Sequence, residues 1–284
     1  MLKDITIGQY YPSVSFVHNL DPRTKLLLSF VFIASVFIAR PYNIGYAIII
    51  LMTGALYIIS KIPVKMIFKG LKPIIPIIIF TVVINLLFLN GEIVEIRWID
   101  GETVPLRWWI FKITYEGINY AVTIIIRISC LIAGTSLLTY TTRPMELTDA
   151  IETLLSPLKK IKVPVHEFAM MMTIALRFIP TLIDETDKIM SAQKARGACL
   201  DNGTLIQRAK ALIPILIPLM ISAFRRADEL ALAMECRCYN GGEGRTKFKQ
   251  LRISARDMVA ASVMILFLSL VIIVNKFNIG WFLV

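Results

Sequence analysis

Apolar residues along this chain gather into long, nearly unbroken blocks. Five stretches, 26–39, 42–60, 73–89, 117–139 and 258–276, carry almost nothing but Ile, Leu, Val, Phe, Met, Ala and small polar residues. A helix needs about 20 such residues to cross a bilayer, so the pattern predicts five membrane spans. Only Arg40 and Pro41 separate the first block from the second, which predicts a tight helical hairpin. A different pattern fills 92–99, where Glu, Ile, Val, Glu, Ile, Arg, Trp and Ile roughly alternate and Asp100-Gly101 follows. An Asp-Gly pair after such a run favours a two-residue hairpin turn, and a short β-hairpin is expected there.

Between 143 and 256 the period changes again. Phe168, Met171, Met172, Ala175, Leu176, Ile179, Leu182 and Ile183 recur at spacings of three and four, and so do Leu212, Ile213, Leu216, Ile217, Met220, Ala223, Ala227, Leu230 and Met234. That spacing marks one face of a helix, and it occurs twice. Two long amphipathic helices are expected, bent by Pro180 in the first and by Pro214 and Pro218 in the second, because proline removes an internal hydrogen bond. A shorter amphipathic piece, 144–158, precedes both. Thirty helical residues reach about 45 Å, and charged residues at nearly every turn argue against simple spanning. The fold class read from the pattern is an all-α integral membrane protein. It has about five transmembrane helices, long amphipathic helices and a small hairpin outside the membrane. The parts are 1–141, with four spans and an outside loop at 90–116; 142–256, the amphipathic region; and 257–284, the last span.

Charge sets the expected orientation. Thirty-one Lys and Arg against 20 Asp and Glu leave a net charge of +11, with 56% hydrophobic and 18% charged residues. A mean hydropathy of +0.69 removes the force of a nucleic-acid reading of the basic pI, about 9.6. Loops rich in Lys and Arg stay on the cytoplasmic side. Lys61, Lys65, Lys69 and Lys72 stand between the second and third blocks with no acid among them, whereas 90–116 carries a net charge of −2. The amino terminus and the amphipathic region, 18 Lys and Arg against 12 Asp and Glu, are therefore expected in the cytoplasm, with 90–116 outside. Lys3, Asp4, Asp21, Arg23 and Lys25 interrupt the first 25 residues, so no cleavable leader is expected.

The most specific feature is the way both long helices close. The first ends Ala192-Gln193-Lys194-Ala195-Arg196-Gly197, the second Glu235-Cys236-Arg237-Cys238-Tyr239-Asn240-Gly241-Gly242. An Arg in a last turn is favoured by the helix dipole, and Gly just beyond is an ordinary stop. One instance would signify only a well-capped helix. Two, about 40 residues apart, suit a partner that itself comes as two similar subunits, each accepting a guanidinium whose planar fork fits carboxylates or carbonyls.

At these residues the sequence resembles the transmembrane coupling subunit, or T component, of energy-coupling factor importers. The likeness runs over most of the chain and is densest from Thr141-Thr142-Arg143-Pro144 onward. It takes in Val163-Pro164-Val165-His166-Glu167, Ala175-Leu176-Arg177-Phe178-Ile179-Pro180, Ala195-Arg196-Gly197 and Arg225-Arg226-Ala227-Asp228-Glu229-Leu230-Ala231. The resemblance implies that Ala195, Arg196 and Gly197 contact one ATP-binding-cassette ATPase, and Cys236, Arg237 and Cys238 the other. ATP and Mg would be bound in those partners, with no cofactor in this chain, and a substrate-binding membrane subunit (the S component) would move when the helices shift. Cys236-Arg237-Cys238 departs from Ala-Arg-Gly, so the second stop is expected to move toward Asn240 or Gly241. Met171, Met172 and Met220 offer adaptable surface to the substrate subunit, or else fill a core.

Other chemistry is thinly represented. No Gly-x-x-x-x-Gly-Lys-[Ser/Thr] loop is present, so the chain lacks the P-loop means of holding ATP phosphates, and no enzymatic activity is expected of it. Cys236, Cys238 and Cys199 lack zinc spacing. His18 and His166 have no nucleophile or carboxylate at a recognisable spacing. Arg127, inside the fourth block, is costly in hydrocarbon, and pairing inside the bundle, with Asn85 as a candidate, is the expected resolution. The competing function, a stand-alone secondary transporter or channel, calls for intramembrane acids or inverted repeats, and the five blocks hold no Asp or Glu in their interiors.

Overall fold

The computed structural model describes residues 10–39, 44–88, 95–97, 103–105, 107–108, 111–112, 114–198, 205–241, 251 and 253–277. Among them nine α-helices form: α1 Pro22–Ile38, α2 Gly45–Ser60, α3 Val64–Leu71, α4 Ile75–Phe88, α5 Tyr115–Thr141, α6 Pro144–Leu154, α7 Val165–Ala195, α8 Leu205–Glu235 and α9 Ala255–Lys276. A 3₁₀ turn, Ser156–Ile161, follows α6. Two compact units divide the chain. One holds the described residues of 8–143 and 251–284; the other holds those of 144–250.

In the first unit α1, α2, α5 and α9 enclose a core of Phe32, Val36, Tyr46, Ile49, Cys130, Met264, Phe267 and Val271. Phe32 stacks on Phe267 at 6.3 Å between ring centroids, and Gly134 lets α5 approach the Phe32 ring. A Cβ there would lie 2.6 Å from Phe32 Cδ1 and nearer still to Cε1. A second cluster, Tyr57, Ile62, Ala133, Leu137 and Tyr140, joins α2 to α5, fixed by a Tyr57 hydroxyl donating to Ala133 O at 2.9 Å. The outer surface is apolar: Phe30, Phe37, Leu51, Ile58, Phe80 and Ile265 are all exposed, as a hydrocarbon environment requires.

One carboxylate ties the beginnings of two helices that lie far apart in sequence. Asp257, 1% exposed, closes the capping box of α9 by accepting from Ser254 N through Oδ2 at 2.7 Å. Its Oδ1 accepts from Asp21 N at 2.8 Å and from the Thr24 hydroxyl at 2.9 Å, while Asp21 itself caps α1 by accepting from Arg23 N. Both helix N-termini thus present their partial positive ends to a single anion. Lys25, also buried, donates to His18 O and to Thr141 O, both at 2.9 Å, so the last carbonyls of α5 are held by the same corner.

Span lengths differ from expectation. By length and hydropathy together, three helices suffice alone, over Gly117–Thr141, Val165–Ala195 and Ala255–Lys276, and a bent pair, Lys65–Leu71 with Ile75–Leu86, makes a fourth if counted as one. At 17 and 16 residues, α1 and α2 fall short of a full crossing at about 1.5 Å per residue: α1 starts at Pro22 and ends within the short first block, and α2 ends with the second block at Ser60, just before the left-handed Lys61 (φ 55°). Among the described residues three helices, or four with the bent pair, have the length and hydropathy of a span, and α1 and α2 stand beside them as shorter helices. In α7 only Glu167 and Arg177 carry a full charge before Asp184, so the expectation that charge bars it from spanning applies to its C-terminal part alone.

The segment 61–72 was expected as a loop and holds a helix, α3. The three residues between it and α4 turn the chain through 63°. Met66 and Ile67 pack on the Tyr57–Tyr140 cluster, and the Tyr140 hydroxyl donates to Met66 O at 3.2 Å. Lys61, Lys65, Lys69 and Lys72 are all exposed. Each ammonium would cost about 3 kcal/mol at the bilayer centre, which argues against burying the lysine side of α3 in hydrocarbon.

Outside the bundle, Glu95–Arg97 pairs antiparallel with Thr103–Pro105, and Arg107–Trp108 with Phe111–Lys112. The expected hairpin forms, but Arg97 opposes Thr103. That register leaves an odd number of residues between the strands, unlike a two-residue turn at Asp100-Gly101, positions that lie outside the described residues.

In the second unit α7 and α8 run antiparallel. The Glu185 carboxylate accepts from Arg226 Nη2 at 2.7 Å and from the Ser222 hydroxyl, and farther along α7 Gln193 Nε2 donates to Pro214 O at 3.5 Å. Pro218 has no N–H to offer that carbonyl four residues back, so Gln193 supplies what the proline withholds. Helix α6 joins α7 through Glu152 Oε1 and His166 Nδ1, 3.0 Å apart.

Candidate coupling ends of the two long helices

Helix α7 stops at Arg196, and the stop is a complete Schellman motif. Gly197, at φ 87°, donates to Lys194 O at 3.0 Å, and Ala198 N reaches back to Gln193 O at 3.0 Å. Those are the 5→2 and 6→1 bonds that consume the last orphan carbonyls of a helix. Helix α8 ends identically. Cys238 N donates to Glu235 O at 2.8 Å and Tyr239 N to Met234 O at 3.0 Å, with Cys238 at φ 56°. Arg196 and Arg237 therefore occupy the same cap position, one residue before the left-handed one, and both side chains are exposed.

This corrects the expectation that the second stop shifts toward Asn240 or Gly241. The chain reverses at Cys238 in the register of Gly197, because two backbone hydrogen bonds and the closed cap offset the roughly 1 kcal/mol that a Cβ costs in the left-handed region. Replacing Cys238 by glycine is expected to stabilise the unit by up to about 1 kcal/mol. Gly197→Ala, with open space around its Cβ but a positive φ, should destabilise it by a similar amount. Thermal unfolding of the two variants against the parent checks both signs.

Ala195, Arg196, Gly197, Cys236, Arg237 and Cys238 all stand exposed, and Cys236 and Cys238 are free thiols. Because the helices are antiparallel, the two caps lie at different ends of the pair. Met171, Met172 and Met220 are 60%, 41% and 49% exposed. Within their own unit they are not core residues, and Phe168, Leu216, Ile217, Ile221 and Phe224 of the same two helices are exposed as well. Val165 and Ala169 are the buried residues of α7, and Ile215 is buried on α8.

The remaining candidates find local partners. Arg127 Nε donates to the Tyr46 hydroxyl at 2.9 Å and Nη2 to Ala39 O at 3.4 Å, with the guanidinium 5.9 Å from the Tyr46 ring centroid. It thus pairs inside the bundle at the C-terminal end of α1, where a cation is favoured. Asn85 is not its partner; its amide donates to Thr81 O in its own helix. His18, which lacked a partner by spacing, has one: Nδ1 lies 2.7 Å from Ser15 Oγ and Nε2 3.0 Å from Tyr11 O. A carbonyl only accepts, so Nε2 carries the proton and Nδ1 accepts from the serine. Burial pushes this imidazole below its ordinary pKa, and the nearby Lys25 charge adds to the effect against the opposing pull of the Tyr11 carbonyl. His166 is likewise paired, with Glu152. Among the described residues no His, Cys, Asp and Glu cluster has the geometry of a metal site; Cys199 lies outside them.

Known proteins are similar to this helical chain along most of its length. The family model described as "Cobalt transport protein", CbiQ, matches residues 13–248. A protein of Ruminiclostridium cellulolyticum named energy-coupling factor transporter transmembrane protein EcfT is 54% identical over 97% of this chain and 98% of its own length. Proteins of the same name from Clostridium kluyveri and Bacillus subtilis are 53% and 46% identical over 92% and 90% of this chain, and 93% of each of them is covered. The chain belongs to this family. The CbiQ match reaches from the segment before α1 to beyond the cap of α8, so both arginine ends lie within it. Members of the CbiQ family are transporter membrane components, and transport is the class of activity to which this one belongs.

Proposed function

We propose that the chain is the coupling subunit of an ATP-driven, energy-coupling factor type importer in a prokaryotic cell membrane. Arg196 and Arg237 each dock a separate ATP-binding-cassette ATPase, which holds the ATP and Mg. The identical cap geometry at the two arginines carries this reading. Two rigid helix ends presenting the same donor group suit two homologous acceptor grooves, and an exposed guanidinium at a fixed cap loses little freedom when it docks. The exposed apolar side chains of α7 and α8, Met171, Met172 and Met220 among them, receive the substrate-binding membrane subunit. Closure of the ATPases then moves α7 and α8 together, because Glu185, Ser222, Arg226 and Gln193 link them, and the motion passes to the substrate subunit. The amino terminus and both capped ends face the cytoplasm.

The test is co-purification of a tagged chain from its native membranes in mild detergent. ATPase subunits and a small integral membrane protein should accompany it. Purification of the chain alone, with solute transport in liposomes needing no ATP, would establish the stand-alone transporter instead.

A further inference from the structure

Helix α3 carries a stripe of positive charge with no assigned use. On a helical projection Lys65, Lys69 and Lys72 fall within about 60° of one another, and Lys61 stands four residues earlier at the left-handed end of α2. No acidic residue occurs from 61 to 72. The opposite side, with Met66, Ile67 and Gly70, is fixed against α5: a Cβ on Gly70 would lie 3.4 Å from Ser136 Oγ, and the Tyr140 hydroxyl holds Met66 O. The lysines are therefore aimed away from the protein by its own packing. Beside them Phe68 is 67% exposed, an apolar side chain that water would disfavour and acyl chains would accept.

We propose that this stripe binds anionic phospholipid of the leaflet that α3 lies in. The occupant follows from position and charge. Only three residues separate α3 from α4 across the 63° turn, and α4 is wholly apolar from Ile75 to Phe88 apart from Thr81 and Asn85. That places the lysines at headgroup depth, where long side chains keep their ammonium in the polar layer while their stems cover apolar surface. Clustered Lys at a membrane surface attracts anionic headgroups additively, and Phe68 would lie among the first acyl carbons. This surface is independent of the ATPase contacts at Arg196 and Arg237.

The full chain reconstituted into bilayers with spin-labelled phosphatidylglycerol or spin-labelled phosphatidylcholine tests it, read as the fraction of motionally restricted lipid. Phosphatidylglycerol should be preferred by roughly threefold or more, and the preference should disappear in K65Q/K69Q/K72Q. It should persist in K159Q/K160Q, which removes two exposed lysines of the other unit. Thermal unfolding confirms that each variant is folded. An equal association of both lipids with the parent, or an undiminished preference in the triple variant, would overturn the assignment. So would a loss just as large in K159Q/K160Q, because net charge and not the α3 stripe would then be responsible.

Discussion

Asp257→Ala is expected to destabilise the membrane bundle by about 2–3 kcal/mol. The carboxylate is buried and accepts from Asp21 N, the Thr24 hydroxyl and Ser254 N. Removing it opens the capping box of α9 and strands the Asp21 amide at the entry to α1. The Thr24 hydroxyl keeps an alternative in Asp21 O, at 2.7 Å, which limits the loss. Asp257→Asn retains one acceptor oxygen and should fall between parent and alanine variant. The check is the midpoint of thermal unfolding in detergent. An alanine variant as stable as the parent would show that α1 and α9 are held by apolar packing alone.

A second large effect is expected at Gly134. An added methyl would run into the edge of the Phe32 ring, which is 3% exposed and stacked on Phe267, so the ring must give up that stacking to make room. Overpacking of this kind costs about 1–3 kcal/mol, so Gly134→Ala should lower stability in that range. Phe32→Leu removes the ring atoms that clash, at the expense of a cavity. If close packing is the cause, the double variant should be less destabilised than the two single effects added together, a coupling that a double-mutant cycle measures. Strict additivity would contradict the steric explanation.

How much of this was legible in sequence depends on the range of the interaction. The 3.6-residue period located α7 and α8 nearly to their ends, because both are held by one-sided apolar patterns that need no distant partner to be seen. The long apolar blocks located α1, α2, α4, α5 and α9 for the same reason. Helix α3 was missed since four lysines in twelve residues resemble a polar loop, and the docking of Met66 and Gly70 on α5 is invisible until the chain is folded. The cap at Cys238 was misplaced because a left-handed stop is ordinarily a glycine, and hydrogen bonds from the next turn, not residue type, decide the register here. Tyr46 is 81 residues from Arg127 and Asp257 is 236 from Asp21, distances at which no spacing rule operates. Ser15, by contrast, lies three residues before His18, and an i to i+3 hydroxyl beside a histidine is a signal that could have been used. For the candidate site the residues were legible and their shared geometry was not: only the backbone shows that Arg196 and Arg237 stand at the same position of the same motif.

The most direct measurement is ATP-driven uptake by the reconstituted importer containing Arg196→Ala, Arg237→Ala, compared with each single variant and the parent. Both side chains are exposed, and each favours its helix end through the dipole by no more than about 1 kcal/mol, so the unfolding temperature should change little. Truncating one partner of a buried charged contact weakens an interface by about 2–5 kcal/mol. Each single variant should therefore lose most of its ATPase association and uptake, and the double variant all of both. Uptake at the parent's rate in the double variant, with ATPases still bound, would contradict the coupling role of these two helix ends.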